Sequence, residues 1–142
     1  MWKNLMKNVS KESVFNEPAS NNQIKEIEKK FDINLPSEFI SFLQETNGAD
    51  VNGADFSSTK RIIEFNVDFR TDEIFKEIYM PLDCFLFIGG SGNGDYFGYS
   101  IVNGDIQRED IFLWNHENDS REWIAPSLEQ LFIWWSEGEV SV

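Results

Sequence analysis

The stretch FLFIGGSGNGDYFGYSI, residues 85–101, places four glycines in six positions between an apolar run and an aromatic run. A phosphate-binding loop presents backbone amides at the start of a helix and usually carries a lysine. Here a strand pattern follows the glycines, no Lys or Arg lies between Lys76 and Arg108, and Asp95 would repel a phosphate. The stretch therefore predicts two strands joined by a glycine turn. Gly98, inside the second strand, predicts a bulge or a close backbone approach.

Strand-type segments continue toward the C-terminus. Asn103-Gly104 is a strong two-residue turn signal, and DIFLWNHE (110–117) and REWIA (121–125) each predict a strand. A last helix is expected after Ser127, and its apolar stripe consists of Leu128, Leu131, Phe132 and Trp135.

The N-terminal part of the chain predicts helices. Ser20 and Gln23 form a capping box at the start of a helix that runs to Phe31, and a second helix is expected after Pro36. The two would form a helical hairpin. A short helix precedes them, and the residues on its apolar face are Trp2, Leu5, Met6 and Val9.

The middle of the chain has weaker patterns. ADVNGADFSSTK (49–60) predicts a polar loop, RIIEF (61–65) predicts a strand, and TDEIFKEIY (71–79) predicts a short helix that begins after Thr71 and is ended by Pro81. Taken together, residues 1–142 predict a single α+β domain. Its N-terminal helical hairpin and C-terminal helix would pack on a mostly antiparallel sheet.

The charge of the chain is strongly unbalanced. Twelve basic residues stand against 25 acidic ones, a formal net charge of −13 in 142 residues. Residues 1–30 carry six Lys and four Glu, whereas residues 31–142 carry six basic and 21 acidic residues. Such a field repels nucleic acid and anionic membranes, and it favours either a cationic protein partner or simple solubility.

The sequence shows neither a signal-peptide pattern nor a long apolar run, so we expect a cytoplasmic protein.

No catalytic or metal-binding constellation stands out. His116 is the only histidine, and Cys84, the only cysteine, lies in an apolar run that predicts a reduced core thiol. A divalent metal held by His116, Glu117, Asp119 and Glu122 is chemically possible, but a solvated turn after a strand is favoured because the spacing matches no strong motif. We therefore predict no catalytic residue, no metal and no cofactor.

The tryptophans leave one alternative open. Trp134 and Trp135 are adjacent on the last helix, so one of them should be partly exposed, and Trp114 and Trp123 could pair across neighbouring strands. Core packing explains most of them. An exposed Trp would instead suit a protein interface or a sugar-stacking surface.

Four segments of the chain form a recognisable series: IKEIEKKFDINLPSEFISFLQETNG (24–48), IGGSGNGDYFGYSI (88–101), IFLWNHE (111–117) and IAPSLEQLFIWW (124–135). In this order, over about residues 24–135, they resemble the SUKH superfamily. The resemblance implies an α+β fold with helices against a curved sheet. It also implies either a bacterial immunity protein, which neutralises a toxin domain that is often a nuclease, or a regulatory protein-interaction module like the fungal cell-wall regulators.

The resemblance and the charge lead to one functional hypothesis. The chain would be an immunity protein that binds the C-terminal domain of a cognate, basic toxin without chemistry of its own. The regulatory scaffold is the first alternative, and a carbohydrate-binding module or enzyme is the second. The oligomeric state stays open. The expected partner-binding residues lie around the glycine turn and the turn after it: Asp95, Tyr96, Tyr99, Glu117, Asp119 and Glu122.

Overall fold

The computed structural model describes all of residues 1–142 and contains six helices and one seven-stranded sheet. The strands follow chain order across the sheet, and every neighbouring pair is antiparallel. The prediction of an α+β domain is confirmed. The helices are α1 (Trp2–Val9), α2 (Asn21–Phe31), α3 (Ser37–Glu45), α4 (Thr59–Thr71), α5 (Glu73–Ile78) and α6 (Leu128–Ser136). The strands are β1 (Val14–Phe15), β2 (Ala49–Val51), β3 (Ala54–Phe56), β4 (Phe85–Gly90), β5 (Tyr96–Ser100), β6 (Ile111–Trp114) and β7 (Arg121–Ala125).

The predicted capping box at the start of α2 is confirmed. The Ser20 hydroxyl accepts from the Gln23 amide, and the Gln23 side chain accepts from the Ser20 amide. These two bonds satisfy donors that the first turn of a helix leaves free. The start of α3 follows Pro36 as expected, and Ile24, Ile27 and the aromatic side chains of α3 are buried between the helices and the sheet.

Residues 49–60 were predicted as a polar loop, and this prediction is wrong. They contain the hairpin of β2 and β3, whose turn residues Asn52 and Gly53 both have positive φ (52° and 86°). Both central residues of a two-residue type I′ hairpin turn require such φ angles. Asp50 and Asp55 are exposed and alternate with buried neighbours, which is the period of a half-buried strand.

The prediction of a strand at residues 61–65 is also wrong, because they belong to α4. Ser58 accepts from the Arg61 amide and begins this helix. The buried positions Ile62, Phe65, Asn66 and Phe69 have the i, i+3, i+4, i+7 spacing of one helical face. The short helix predicted after Thr71 is confirmed as α5, which Asp72 caps.

Helices cover both faces of the sheet. On one face α3 and α6 pack against β3 and β5, through the aromatic contacts of Phe39 with Tyr99 and of Phe56 with both Phe42 and Phe132, and α1 packs on α6. On the other face α4 packs against β4 and β6. Phe69 contacts both Phe87 and Trp114 there, with ring centroids 5.4 Å apart in each case. The core therefore has two aromatic layers, one on each side of the sheet.

The close backbone approach predicted at Gly98 is confirmed. A Cβ at this position would overlap the Leu86 carbonyl oxygen, and the β4–β5 register shifts between Phe87 and Gly89. Glycine is therefore required at residue 98 because β4 and β5 meet there without space for any side chain.

Side chains of α4 complete the hydrogen bonding of β4 where β3 has ended. The Asn66 amide nitrogen donates to the Phe87 carbonyl oxygen (2.8 Å), and the Asn66 carbonyl oxygen accepts from the Phe87 amide (2.9 Å). One helical turn later, Arg70 Nη2 donates to the Phe85 carbonyl oxygen (3.0 Å). The helix thus replaces a strand at this part of the sheet edge, where buried peptide groups need partners.

We predict that Asn66→Leu destabilises the protein by about 2–5 kcal/mol, because it leaves two buried peptide groups of Phe87 without partners. Urea unfolding followed by tryptophan fluorescence measures the change. Asn22→Leu, a matched change at an exposed helical position of α2, should shift stability by less than about 1 kcal/mol. Equal losses in the two variants would contradict this role for Asn66.

Candidate functional site

The glycine turn joins β4 to β5, as its sequence predicts. Gly92 and Gly94 have positive φ (93° and 101°), and the Ser91 amide donates to the Asp95 carbonyl oxygen to close the loop. Asn93 accepts from the Asp95 amide through its side chain. The loop leads directly into a strand and is not the start of a helix.

Three turns lie side by side at one end of the sheet. The Gly53 carbonyl oxygen of the β2–β3 turn lies 3.1 Å from where a Cβ of Gly92 would be. Gly94 in turn packs against the His116 ring of the β6–β7 turn, which would lie 2.8 Å from a Cβ there. We call this surface the acidic turn edge. It is defined by the carboxylates of Asp50, Asp55, Asp95 and Glu117.

Asp95 links two of these turns. Its Oδ1 accepts from the His116 amide (3.1 Å) and lies 2.6 Å from His116 Nδ1, while only 13% of the Asp95 side chain is exposed. The Tyr79 hydroxyl donates to the His116 carbonyl oxygen from the opposite side. Asp95 therefore orders the turn edge, and one of its two carboxylate oxygens is already in use within the chain.

The Asp119 carboxylate accepts more internal hydrogen bonds than the Asp95 carboxylate does. Its carboxylate accepts from the Met80 amide (3.0 Å), from Trp114 Nε1 (2.7 Å) and from Arg121 Nη2 (3.0 Å). Partial burial raises the pKa of Asp119, but these hydrogen bonds and the Arg121 charge outweigh burial and lower the pKa below the ordinary value. The residue ties the β6–β7 turn to the segment after α5, which is a structural role.

The exposed acids of the edge are Asp50, Asp55 and Glu117, of which Asp50 accepts one hydrogen bond from the Gly53 amide and Asp55 accepts one from the Ser57 hydroxyl. Asp50 and Asp55 stand directly opposite each other in the β2–β3 pair, and like charges in that arrangement repel. Residues 50–55, 91–96 and 115–119 contain five Asp and Glu and no Lys or Arg. The edge is therefore a concentrated negative surface.

The two tyrosines do not serve as exposed anchors in the way we expected. Tyr99 is fully buried, and its hydroxyl donates to Glu38 Oε2 (2.9 Å). Burial, together with the nearby Glu38 charge, raises the pKa of Tyr99 well above its usual range. Tyr96 is half-buried, and its ring packs on Phe65 and Phe69 of α4.

Glu122 is exposed but lies in a different place. It lines a shallow groove of about 310 Å³ with Trp123, Trp134 and residues near the C-terminus. Trp123 is 47% exposed, and its ring contacts Trp134. The expected pairing of Trp114 with Trp123 is wrong, because β6 and β7 pair Trp114 with Arg121 and Trp123 with Phe112, and Trp114 is buried in the core. Trp134 is the partly exposed member of the adjacent pair, as expected.

The expectation of a core thiol is also corrected. Cys84 is only half-buried, immediately before β4, and its Sγ lies 3.1 Å from Arg121 Nη1. Burial raises the pKa of the Cys84 thiol, although the Arg121 charge opposes this effect. No group of three or more His, Cys, Asp or Glu side chains is arranged to hold a metal ion.

Sequence reasoning missed Asp50 and Asp55, because residues 49–60 were predicted as a loop. The signal that identifies them is the alternation of buried and polar residues on both sides of Asn52-Gly53. Each strand has only three residues, which is too short for the pattern to stand out.

We predict that Asp119→Asn destabilises the protein by about 2–4 kcal/mol at neutral pH. The amide NH₂ that replaces a carboxylate oxygen is itself a donor, and it would face the three groups that donate to Asp119. Because the folded pKa lies below the ordinary 3.8, the carboxylate stabilises the fold above that pH and loses its effect as pH falls through the lowered pKa. The difference in unfolding free energy between the parent chain and the variant should therefore decrease at low pH. Urea unfolding across pH measures it, and Asp68→Asn on the exposed face of α4 is the control. A difference independent of pH would contradict the assignment.

None of the six helices has the length and apolar character that a bilayer span requires. A comparison with curated proteins finds no match. The family model described as SUKH_6, SMI1-KNR4 cell-wall, matches residues 21–132, which is well over half of the chain. The match includes the α2–α3 hairpin, the glycine turn and residues 128–132 of α6. The chain therefore belongs to the SUKH superfamily.

Proposed function

We propose that this chain is an immunity protein, which binds a cognate toxin domain stoichiometrically and neutralises it without chemistry of its own. The observation that carries the proposal is the acidic turn edge, where three turns from distant parts of the sequence bring exposed carboxylates together. Membership of the SUKH superfamily supports the same role.

The chemistry of the edge suits a basic partner, and a nuclease domain is the partner we propose. A surface that holds the phosphates of a nucleic acid is rich in Lys and Arg, and a set of carboxylates can occupy it in place of the substrate backbone. Asp50, Asp55 and Glu117 would form these pairs. The negative field of the whole chain would accelerate the encounter.

Rigidity of the edge would favour tight binding. Asp95 and Asp119 make internal hydrogen bonds that hold the β4–β5 and β6–β7 turns in place before the partner arrives, and the β2–β3 turn packs against the glycine turn at Gly92. Little conformational entropy is then lost on association. In this proposal Asp95 and Asp119 position the surface, and the exposed carboxylates contact the toxin. The protein would act in the cytoplasm.

Co-expression with the C-terminal domain of the adjacent toxin gene tests this function. We expect the parent chain to restore growth and to co-purify with the toxin domain at one to one. The triple variant Asp50→Lys, Asp55→Lys, Glu117→Lys should lose protection. The control Glu12→Lys, Glu64→Lys, Glu137→Lys makes the same change in net charge at exposed positions outside the edge and should keep protection.

The outcomes separate the parts of the proposal. If the parent chain fails to protect, the immunity role is wrong. If both triple variants lose protection equally, net charge matters and the turn edge is not the contact surface.

The association rate constant gives a second prediction. Because exposed charges steer the encounter, the rate constant should fall by about tenfold or more between low and physiological ionic strength, with a smaller change in the dissociation rate. Stopped-flow mixing of the purified partners measures both. An association rate constant that does not change with ionic strength would contradict the electrostatic mechanism.

The groove beside Trp123 supports the carbohydrate-binding alternative, because an exposed indole next to Trp134 and Glu122 can stack on a sugar ring. Titration with a panel of sugars, followed by tryptophan fluorescence, decides it: quenching that Trp123→Ala abolishes would favour that function. A regulatory scaffold of the same family is distinguished by the lack of a neighbouring toxin gene.

A further inference from the structure

A second site lies on the α4–α5 side of the sheet, away from the acidic turn edge. A cavity of about 480 Å³ opens between the end of α4, the helix α5 and the segment that leads to β4. Its volume falls in the range of small-molecule sites, roughly 300–1,000 Å³. Its lining includes the aromatic rings of Phe69, Phe75 and Tyr79 and three charged residues, which are Arg70, Lys76 and Asp83.

Arg70 has no carboxylate partner, although the chain carries 25 acidic residues. It forms no ion pair, and its single hydrogen bond runs from Nη2 to the Phe85 carbonyl oxygen. The Nε atom is shielded from solvent without an acceptor. The Phe31 ring covers the guanidinium, with its centroid 4.3 Å from Cζ. Buried donors without partners are rare in folded proteins and call for an explanation.

The remaining nitrogen, Nη1, is available to a ligand. It forms no hydrogen bond within the chain, and it is not among the shielded polar atoms, so solvent reaches it. Burial lowers the pKa of Arg70, while the Asp83 charge opposes that effect. The guanidinium remains charged at any physiological pH, and its charge is only partly compensated.

The charges at the cavity favour an anion locally. Arg70 and Lys76 stand against Asp83, which leaves one positive charge in the lining of a chain whose net charge is −13. Lys76 also approaches Glu73 at 3.6 Å, but this pair is exposed and screened by solvent. The aromatic part of the lining offers no hydrogen bond to replace the hydration of a bare inorganic anion, whereas an anion with an apolar body gains contacts there.

We propose that this cavity binds a small carboxylic acid with an apolar body. The carboxylate would accept from Arg70, and Lys76 would add a second positive charge. The body would lie against Phe69 and Phe75, whose ring centroids are 5.1 Å apart. This combination of an apolar surface and one fixed cation is how small-ligand sites achieve orientation and affinity together.

The test uses the full chain and two probes of nearly the same shape, 3-phenylpropanoate and its neutral amide, 3-phenylpropanamide. Calorimetric titration should show the carboxylate binding about tenfold or more tightly than the amide, as expected for a charge-assisted hydrogen bond. Backbone amide NMR shifts induced by the carboxylate should concentrate in residues 69–83.

Variants assign the effect to its residue. Arg70→Gln should reduce carboxylate affinity about tenfold or more and leave the amide unchanged. Lys25→Gln, which removes an exposed cation from α2, should change neither. Because Arg70 also bonds to β4, circular dichroism must show that the Gln variant is folded. Lys76→Gln changes a second, exposed residue of the same cavity. It should weaken binding of the carboxylate probe by about twofold or more.

The proposal is overturned if the carboxylate and the amide bind equally or if neither binds. It is also overturned if the NMR shifts fall outside the cavity, or if a folded Arg70→Gln variant retains the parent affinity. None of these results depends on whether the chain neutralises a toxin.

Discussion

The pair of hydrogen bonds between Asn66 and the Phe87 peptide groups is the contact on which the rest of this fold depends. β3 is only three residues long, and without α4 the edge of β4 beyond it would bury unpaired backbone groups. Asn66 and Arg70 satisfy that edge. In doing so they hold α4 against the sheet, with Phe69 between Phe87 and Trp114. The cavity beside Arg70 exists because this helix is fixed there.

The meander topology has a direct functional consequence. When every strand is the neighbour of the next, alternate connections emerge at the same end of the sheet. The β2–β3, β4–β5 and β6–β7 turns therefore meet, although residues 50 and 117 are far apart in sequence. Each turn carries acids and no Lys or Arg, so their charges accumulate on one surface. Asp95 and Asp119 use their carboxylates in internal hydrogen bonds, which hold the β4–β5 and β6–β7 turns in place.

The strengths and failures of the sequence interpretation have physical causes. The strands from Phe85 onward were predicted because long aromatic runs and Asn103-Gly104 give strong local signals. Residues 61–65 predict a strand because a five-residue stretch with three apolar residues fits the strand period of two as well as the helical period of about 3.6. The helical period appears only when the stripe is followed to Phe69 and when buried Asn66 is counted with it.

The sequence by itself determined the class of the fold, the capping box, the glycine at residue 98, the acidic balance and the family, because these depend on local backbone geometry, composition and motif order. Only the tertiary structure decided which of the acidic and aromatic side chains are free. Tyr99 bonds to Glu38, Asp119 bonds to three donors, and Asp50 joins Glu117 at the turn edge. Exposure and pairing depend on which distant segments meet, and only the packed chain sets those contacts.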